Sequence, residues 1–185
     1  MTDSVLLVID AQMAFAERDA RGDKRSCPQA EQNIARLLKL FREHGGPVIH
    51  IHHHSLQAGS AFRTDQTGVA VQLFAAPFVG EAVIVKNANS GFIGTDLEDQ
   101  LNALGRPRLV ICGATANHCV ETTTRMAGNL GFDTIYVSDA VWAYDHTGID
   151  GTLIPAAQIH AVSMANLNGE FATVLDCDTV CAQIP

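Results

Sequence analysis

The chain has 185 residues, 47% of them hydrophobic, with a formal net charge of -8 and five cysteines. That length suits one domain, residues 1–185, with a full apolar core, and the acidic balance, without a basic patch, excludes nucleic acid as a partner. An odd number of cysteines and no Cys-x-x-Cys pair point to reduced thiols in a cytoplasmic protein rather than a disulfide scaffold.

Val5 to Ile9 reads as a first strand, too short for a signal or membrane segment and preceded by an acid, so neither export nor membrane contact is expected. Pro28 opens a helix carrying Ile34, Leu37, Leu38 and Phe41 at three-and-four spacing, and Gly45-Gly46-Pro47 closes it. Val48 to His52 is a second strand. Residues 55–80 lack periodicity, and a structureless stretch of that length in a compact domain is expected to cover a site. Ala82 to Lys86 is the third strand. Thr95-Asp96-Leu97-Glu98 reads as a capping box opening a helix with Leu97, Leu101 and Leu104 inward and Gly105 as its stop. Leu109 to Cys112 is the fourth strand. A helix weakened by Thr122, Thr123, Thr124 and Gly128 follows Cys119 and ends at Gly131. Thr134 to Ser138, a helix from Pro155 to Asn168-Gly169 and Ala172 to Leu175 complete the series. This alternation specifies an α/β fold: a doubly wound, six-stranded parallel sheet with helices on both faces, three layers in all.

In such sheets the site forms beyond the carboxyl ends of the strands. Asp10 ends the first strand, Lys86 ends the third, and Cys119 follows the fourth, where a strand turns into a helix. A thiol at a helix N-terminus faces unpaired N–H groups and a positive partial charge. Local context alone leaves Cys119 equally a nucleophile or a small core hydrophobe. Asp10 and Lys86 taken singly have innocent readings, a turn cap and a solvent-reaching amine. Together they supply the base and the cation that a cysteine nucleophile requires.

Three segments carry a resemblance: Asp10-Ala11-Gln12-Met13-Ala14-Phe15 (Asp-x-Gln-x-x-Phe), Lys86 followed by Asn89 through Leu97, and Gly113 through Val120 with Thr122 and Thr123 behind. In this order they resemble the isochorismatase-like cysteine hydrolases, which include N-carbamoylsarcosine amidohydrolase and nicotinamidases. The resemblance implies that Asp10 is the general base, Lys86 its supporting cation and Cys119 the nucleophile. It also implies a cis peptide before Thr115, an oxyanion hole from the N–H groups of Thr115 and Cys119, and a small amide or carbamoyl substrate near Phe15, His53, Phe92 and Ala114. No organic cofactor is implied, and self-association as a dimer or tetramer is expected. Relatives with a small, non-nucleophilic residue at the cysteine position cleave the vinyl ether of isochorismate, a chemistry that Cys119 argues against.

His50-Ile51-His52-His53-His54 invites a metal reading, since imidazoles bind zinc and alternate strand residues share a face. Nicotinamidases hold their metal through an Asp-x-His pair with a further His downstream, and no Asp lies two residues before any of these histidines, so no metal is expected. His118 is placed to contact substrate or another subunit, His160 matches a position often occupied by His in relatives, and Trp142 with Tyr144 would close the cleft or anchor a subunit interface. Two other readings stay open: a thiol-based redox sensor at Cys119, and a zinc-dependent, nicotinamidase-like amidase using the histidine cluster.

Overall fold

The computed structural model describes residues 3–105 and 107–183. Ser4–Ile9 (β1) is buried at every position, as an apolar strand covered on both faces must be. It pairs in parallel with Val48–His53 (β2) on one side and Arg108–Ala114 (β4) on the other. Ala82–Lys86 (β3) extends the sheet beyond β2, and Thr134–Trp142 (β5) extends it beyond β4. Two-residue strands His146–Thr147 (β6) and Leu153–Ile154 (β7) form a separate antiparallel hairpin, and Thr173–Leu175 (β8) closes the main sheet, giving the order β3-β2-β1-β4-β5-β8. The six strands are parallel throughout, as the sequence pattern specifies.

Six helices cover it: Met13–Ala20 (α1), Ala30–Glu43 (α2), Leu97–Ala103 (α3), Cys119–Asn129 (α4), Ala156–Leu167 (α5) and Cys177–Gln183 (α6). Alternation along the strands divides the core in two. Leu6, Val8, Val110 and Cys112 face Phe15, Ile34, Leu37, Phe41 and Val180 from α1, α2 and α6. Val5, Leu7, Ile9 and Ile111 face Leu97, Leu101, Val120, Ala127 and Leu167 from α3, α4 and α5. Cover is incomplete at the β3 edge, where Val83 and Val85 are exposed. Among the described residues no helix is long and apolar enough to cross a membrane.

Two local expectations change. Helix α3 ends at Ala103, so Leu104 becomes its C-cap and is exposed rather than inward. The capping box does not form: Asp96 is the N-cap, and the Thr95 hydroxyl instead donates to the Gly91 carbonyl at 2.5 Å. Gly128 is required inside α4 by close approach, because a Cβ there would lie 2.7 Å from the Phe171 carbonyl oxygen. The threonines of α4 are accommodated by bonding, with the Thr124 hydroxyl donating to Val120 O at 2.8 Å and the Thr123 hydroxyl accepting from Gly91 N at 2.9 Å.

Gly113 governs how β4 meets β1. It has φ +123, and a Cβ would sit 2.0 Å from the Ile9 carbonyl oxygen. The β4–β5 register also shifts between Ile111 and Gly113. Gly113→Ala is expected to cost at least about 3 kcal/mol, since a forbidden backbone conformation and a backbone clash add. Urea unfolding with an unchanged m-value and a lowered midpoint measures it; a midpoint equal to that of the parent chain refutes it.

Candidate active site

Strand β1 leads to helices on one face and β4 to α4 on the other, so the connections part at the β1–β4 boundary, where α/β sheets open a crevice. Asp10 follows β1 with φ +49, a left-handed conformation that a non-glycine residue rarely adopts. It is held there by its own N–H donating to Ile51 O at 2.8 Å. Lys86 and His53 end β3 and β2 and stand in register. Cys119 is the first residue of α4.

These side chains converge. The Lys86 Nζ donates to Asp10 Oδ2 at 2.8 Å, in an ion pair almost wholly removed from water. A second Lys86 bond, 3.3 Å long, reaches His53 Nδ1. One donor atom each of Asp10, His53 and Cys119 lie within 4.8 Å of one another. A buried pair of this kind persists only while both charges are kept, because removing one strands the other. Asp10 Oδ1 has no hydrogen-bond partner among the described residues, which leaves it free to take a proton.

Burial pushes the Cys119 thiol up to about 12, with the Asp10 charge adding to the rise and Lys86 opposing it. The thiol therefore keeps its proton at rest, contrary to what a helix N-terminus alone would favour. A helix end contributes about 0.3–1 kcal/mol, less than one pKa unit, and the burial of this partly covered thiol outweighs it. His53 is pushed down, by burial first and by Lys86 second, so it meets the ammonium as a neutral acceptor.

The peptide between Ala114 and Thr115 is cis. Around it the N–H groups of Ala116, His118 and Val120 are all engaged, to Trp142 O and twice to Thr115 O. The two N–H groups expected to form an oxyanion hole, those of Thr115 and Cys119, donate to no backbone acceptor among the described residues.

Gln12 performs a task that its place in the sequence motif did not reveal. Fully buried, it donates to His53 O at 3.0 Å and Val69 O at 2.7 Å and accepts from His53 N at 2.8 Å. One amide thereby fixes the backbone of His53 and pins the covering segment, which also bonds through Met13 N to Ala70 O and Gln72 N to Ala11 O. Each of those backbone groups would cost about 1–3 kcal/mol if left buried and unpaired. Phe62, from the same segment, packs edge-on against His53 and Phe15 with ring centroids 5.7 and 5.2 Å away.

Ala114 borders this centre through its cis peptide to Thr115, and Phe15 borders it through Phe62. Phe15 and Phe92 belong to opposite halves of the core: Phe15 is buried among Phe62, Trp142 and Tyr144, while Phe92 stacks on Phe132. Ala114, Trp142 and Tyr144 are buried, so the two aromatics are core residues rather than a lid or an interface anchor. His118 is exposed, its Nδ1 3.0 Å from Thr115 Oγ1 and its ring tilted at 40° to that of His146 with centroids 5.4 Å apart. His160 is buried against Ser26 Oγ at 2.9 Å.

The histidine run is divided by the strand. His50 is buried, its ring 2.8 Å from Glu81, and burial pushes it down so that it bonds as a neutral donor. Burial alone would raise Glu81, but bonds from Arg42, Phe78 N and His50 hold it at about 2. His52 falls to about 4 through burial and its neighbours His50 and His54. His53 alone of the run joins Asp10 and Lys86, so the run does not act as one cluster.

A doubly wound sheet that gathers a carboxylate, an amine and a thiol at its switch point defines a class of α/β proteins with a preassembled polar centre. The chain belongs to the isochorismatase family of hydrolases: the Isochorismatase domain matches residues 4–179. It is similar to the uncharacterized isochorismatase family protein YrdC of Bacillus subtilis (strain 168), 43% identical over 173 residues, which are 94% of this chain and 91% of that one. A crystal structure of an isochorismatase-family protein from Chromobacterium violaceum superposes with a TM-score of 0.92 at 42% identity, covering 98% of this chain and 93% of the other. N-carbamoylsarcosine amidase from Thermoplasma acidophilum superposes with a TM-score of 0.74 at 25% identity over 96% of this chain and 98% of its own.

Proposed function

We propose that the chain is a cysteine-dependent hydrolase of a small amide or carbamoyl C–N bond. The observation that carries this is the meeting of Asp10, Lys86 and Cys119, with one carboxylate oxygen uncommitted and two N–H groups that donate to no backbone acceptor among the described residues. Similarity to N-carbamoylsarcosine amidase supports the bond type.

Asp10 takes the thiol proton as sulfur attacks the carbonyl carbon, and Lys86 stays paired to the carboxylate so that the charge moves without entering water. The N–H groups of Thr115 and Cys119 receive the developing oxyanion, at about 3–4 kcal/mol of stabilisation per donor. The proton then passes from Asp10 to the departing amine or ammonia, leaving a thioester or thiocarbamate on Cys119. Water, deprotonated by Asp10, attacks that carbon and expels the sulfur, which recovers its proton. A redox sensor would need a thiolate at rest, whereas Cys119 is pushed up to about 12.

Screening small amides, ureas and carbamoyl compounds for ammonia or amine release tests the proposal. Cys119→Ala is expected to lower turnover by at least about 10³-fold, to the level that binding and the oxyanion donors alone sustain. Turnover within tenfold of the parent removes Cys119 as nucleophile.

A further inference from the structure

We infer that the same centre is a capture site for a soft divalent cation of the zinc, cadmium or cobalt kind, held by Asp10, His53 and Cys119 in competition with the Lys86 ammonium. Among the described residues this is the grouping of three such donors close enough to share one ion, with one donor atom of each within 4.8 Å of the others. It is separate from the His50–Glu81 pair, which faces Arg42.

The donor set suits that class of ion. Thiolate and imidazole select zinc-like metals over magnesium or calcium, and a carboxylate completes a three-ligand set with a fourth position open. Ligand atoms around four-coordinate zinc stand about 3.3–3.8 Å apart, given bond lengths of about 2.0–2.3 Å, so the side chains need to close by about 1 Å. A second observation points the same way: Asp10 is 2% exposed, yet its Oδ1 has no partner. A buried carboxylate oxygen in that condition is an open coordination position.

Lys86 explains why occupancy is contested. Its Nζ lies 2.8 Å from Asp10 Oδ2 and 3.3 Å from His53 Nδ1, already bonded to two of the three donors. When a divalent ion enters, the thiol releases its proton to solvent and the sulfur, carboxylate and imidazole bind the metal. The ammonium then remains as an uncompensated charge beside it. Lys86 is thus a built-in cation that holds the place of a metal, and it sets the affinity low enough for the free centre to persist. The inhibition that would follow from capture rests on the hydrolase reading; coordination itself does not.

Cobalt(II) added to chelator-treated full-length protein tests it directly, because a cobalt–thiolate bond gives a charge-transfer band in the near ultraviolet and four-coordination gives intense visible bands. Excess cobalt is expected to produce both in the parent, saturating at one ion per chain. Cys119→Ser is expected to abolish the charge-transfer band, and His53→Ala to weaken binding by about tenfold or more. Lys86→Met is expected to tighten binding by about tenfold or more, the factor a neighbouring like charge carries. Circular dichroism confirms that each variant is folded. A band that survives in Cys119→Ser assigns the metal to other cysteines and overturns the inference, as does the absence of a band in folded Lys86→Met at millimolar cobalt. Hydrolysis is assayed separately on metal-free protein, so loss of the amidase reading leaves the spectroscopic result standing, and the reverse.

Discussion

Asp10→Asn is expected to separate two properties of Cys119 that ordinarily travel together: hydrolysis falls about 10³- to 10⁴-fold, while alkylation of the thiol at pH 8 becomes faster. The first effect is the loss of the carboxylate proposed to carry the proton, within the range for a general base. The second follows from the causes acting on the sulfur. Burial and the Asp10 charge both push the Cys119 thiol up, to about 12, and Lys86 alone opposes them. Replacing the carboxylate by an amide removes one of the raising influences and leaves the ammonium unpaired beside the sulfur. The thiolate fraction at pH 8 is expected to rise by about tenfold or more, as for a neighbouring charge removed at short range. Iodoacetamide kinetics, with mass spectrometry to assign the modified residue, measure it. Slower alkylation in Asp10→Asn would mean that the carboxylate activates the resting thiol, and the proton-transfer order proposed above would be reversed.

Lys86→Met is expected to abolish hydrolysis and to destabilise the fold in a pH-dependent way. Methionine keeps the length and apolar stem of the lysine, so the change isolates the ammonium. Asp10 would then be a charge at 2% exposure without its partner, a situation that costs about 3–5 kcal/mol. Taking a proton relieves it. The sign follows: the variant is nearest the parent in stability at acidic pH, where the carboxyl is readily neutralised, and falls away as the pH rises and the buried charge returns. Hydrolysis stays lost at both ends of the range, at acidic pH because a neutral carboxyl cannot act as base and at alkaline pH because the ammonium that holds the Asp10 carboxylate is gone. Urea unfolding at pH 5 and pH 8 reads the difference, and equal destabilisation at the two values would show that Lys86 contributes through packing.

Much of this was legible in the sequence because strands covered on both faces announce themselves as unbroken apolar runs. Val5 to Ile9, Ala82 to Val85 and Leu109 to Cys112 read as strands, and the residue ending or following each such run falls on the carboxyl edge. Asp10, Lys86 and Cys119 were therefore readable as one group before any coordinates. Helices α1 and α6 were not, since Met13–Ala20 buries only Ala14 and Phe15 and Cys177–Gln183 only Cys177 and Val180, too few to form a stripe. The hairpin of β6 and β7 uses two-residue strands that have no period to detect. Leu104 misled because the three-and-four spacing runs one residue past Ala103, where the helix ends before Gly105, at φ +80. His53 was singled out through the resemblance alone: four histidines in five positions suggest one cluster, while the strand sends them to different partners. Gln12 was hidden for a more general reason. An amide that bonds only to backbone leaves no trace in the identity of its partners.

That amide has a consequence for how the site can be altered. His53 and Val69 hang from the same side chain, so the stretch around residues 67–72 behaves as part of the chassis of the reactive centre, whereas Gln57 to Gly59, open to solvent in between, can be recut or lengthened without disturbing the angle at which the imidazole meets the amine. Variation that redirects such a protein toward new molecules has room at the second place and almost none at the first.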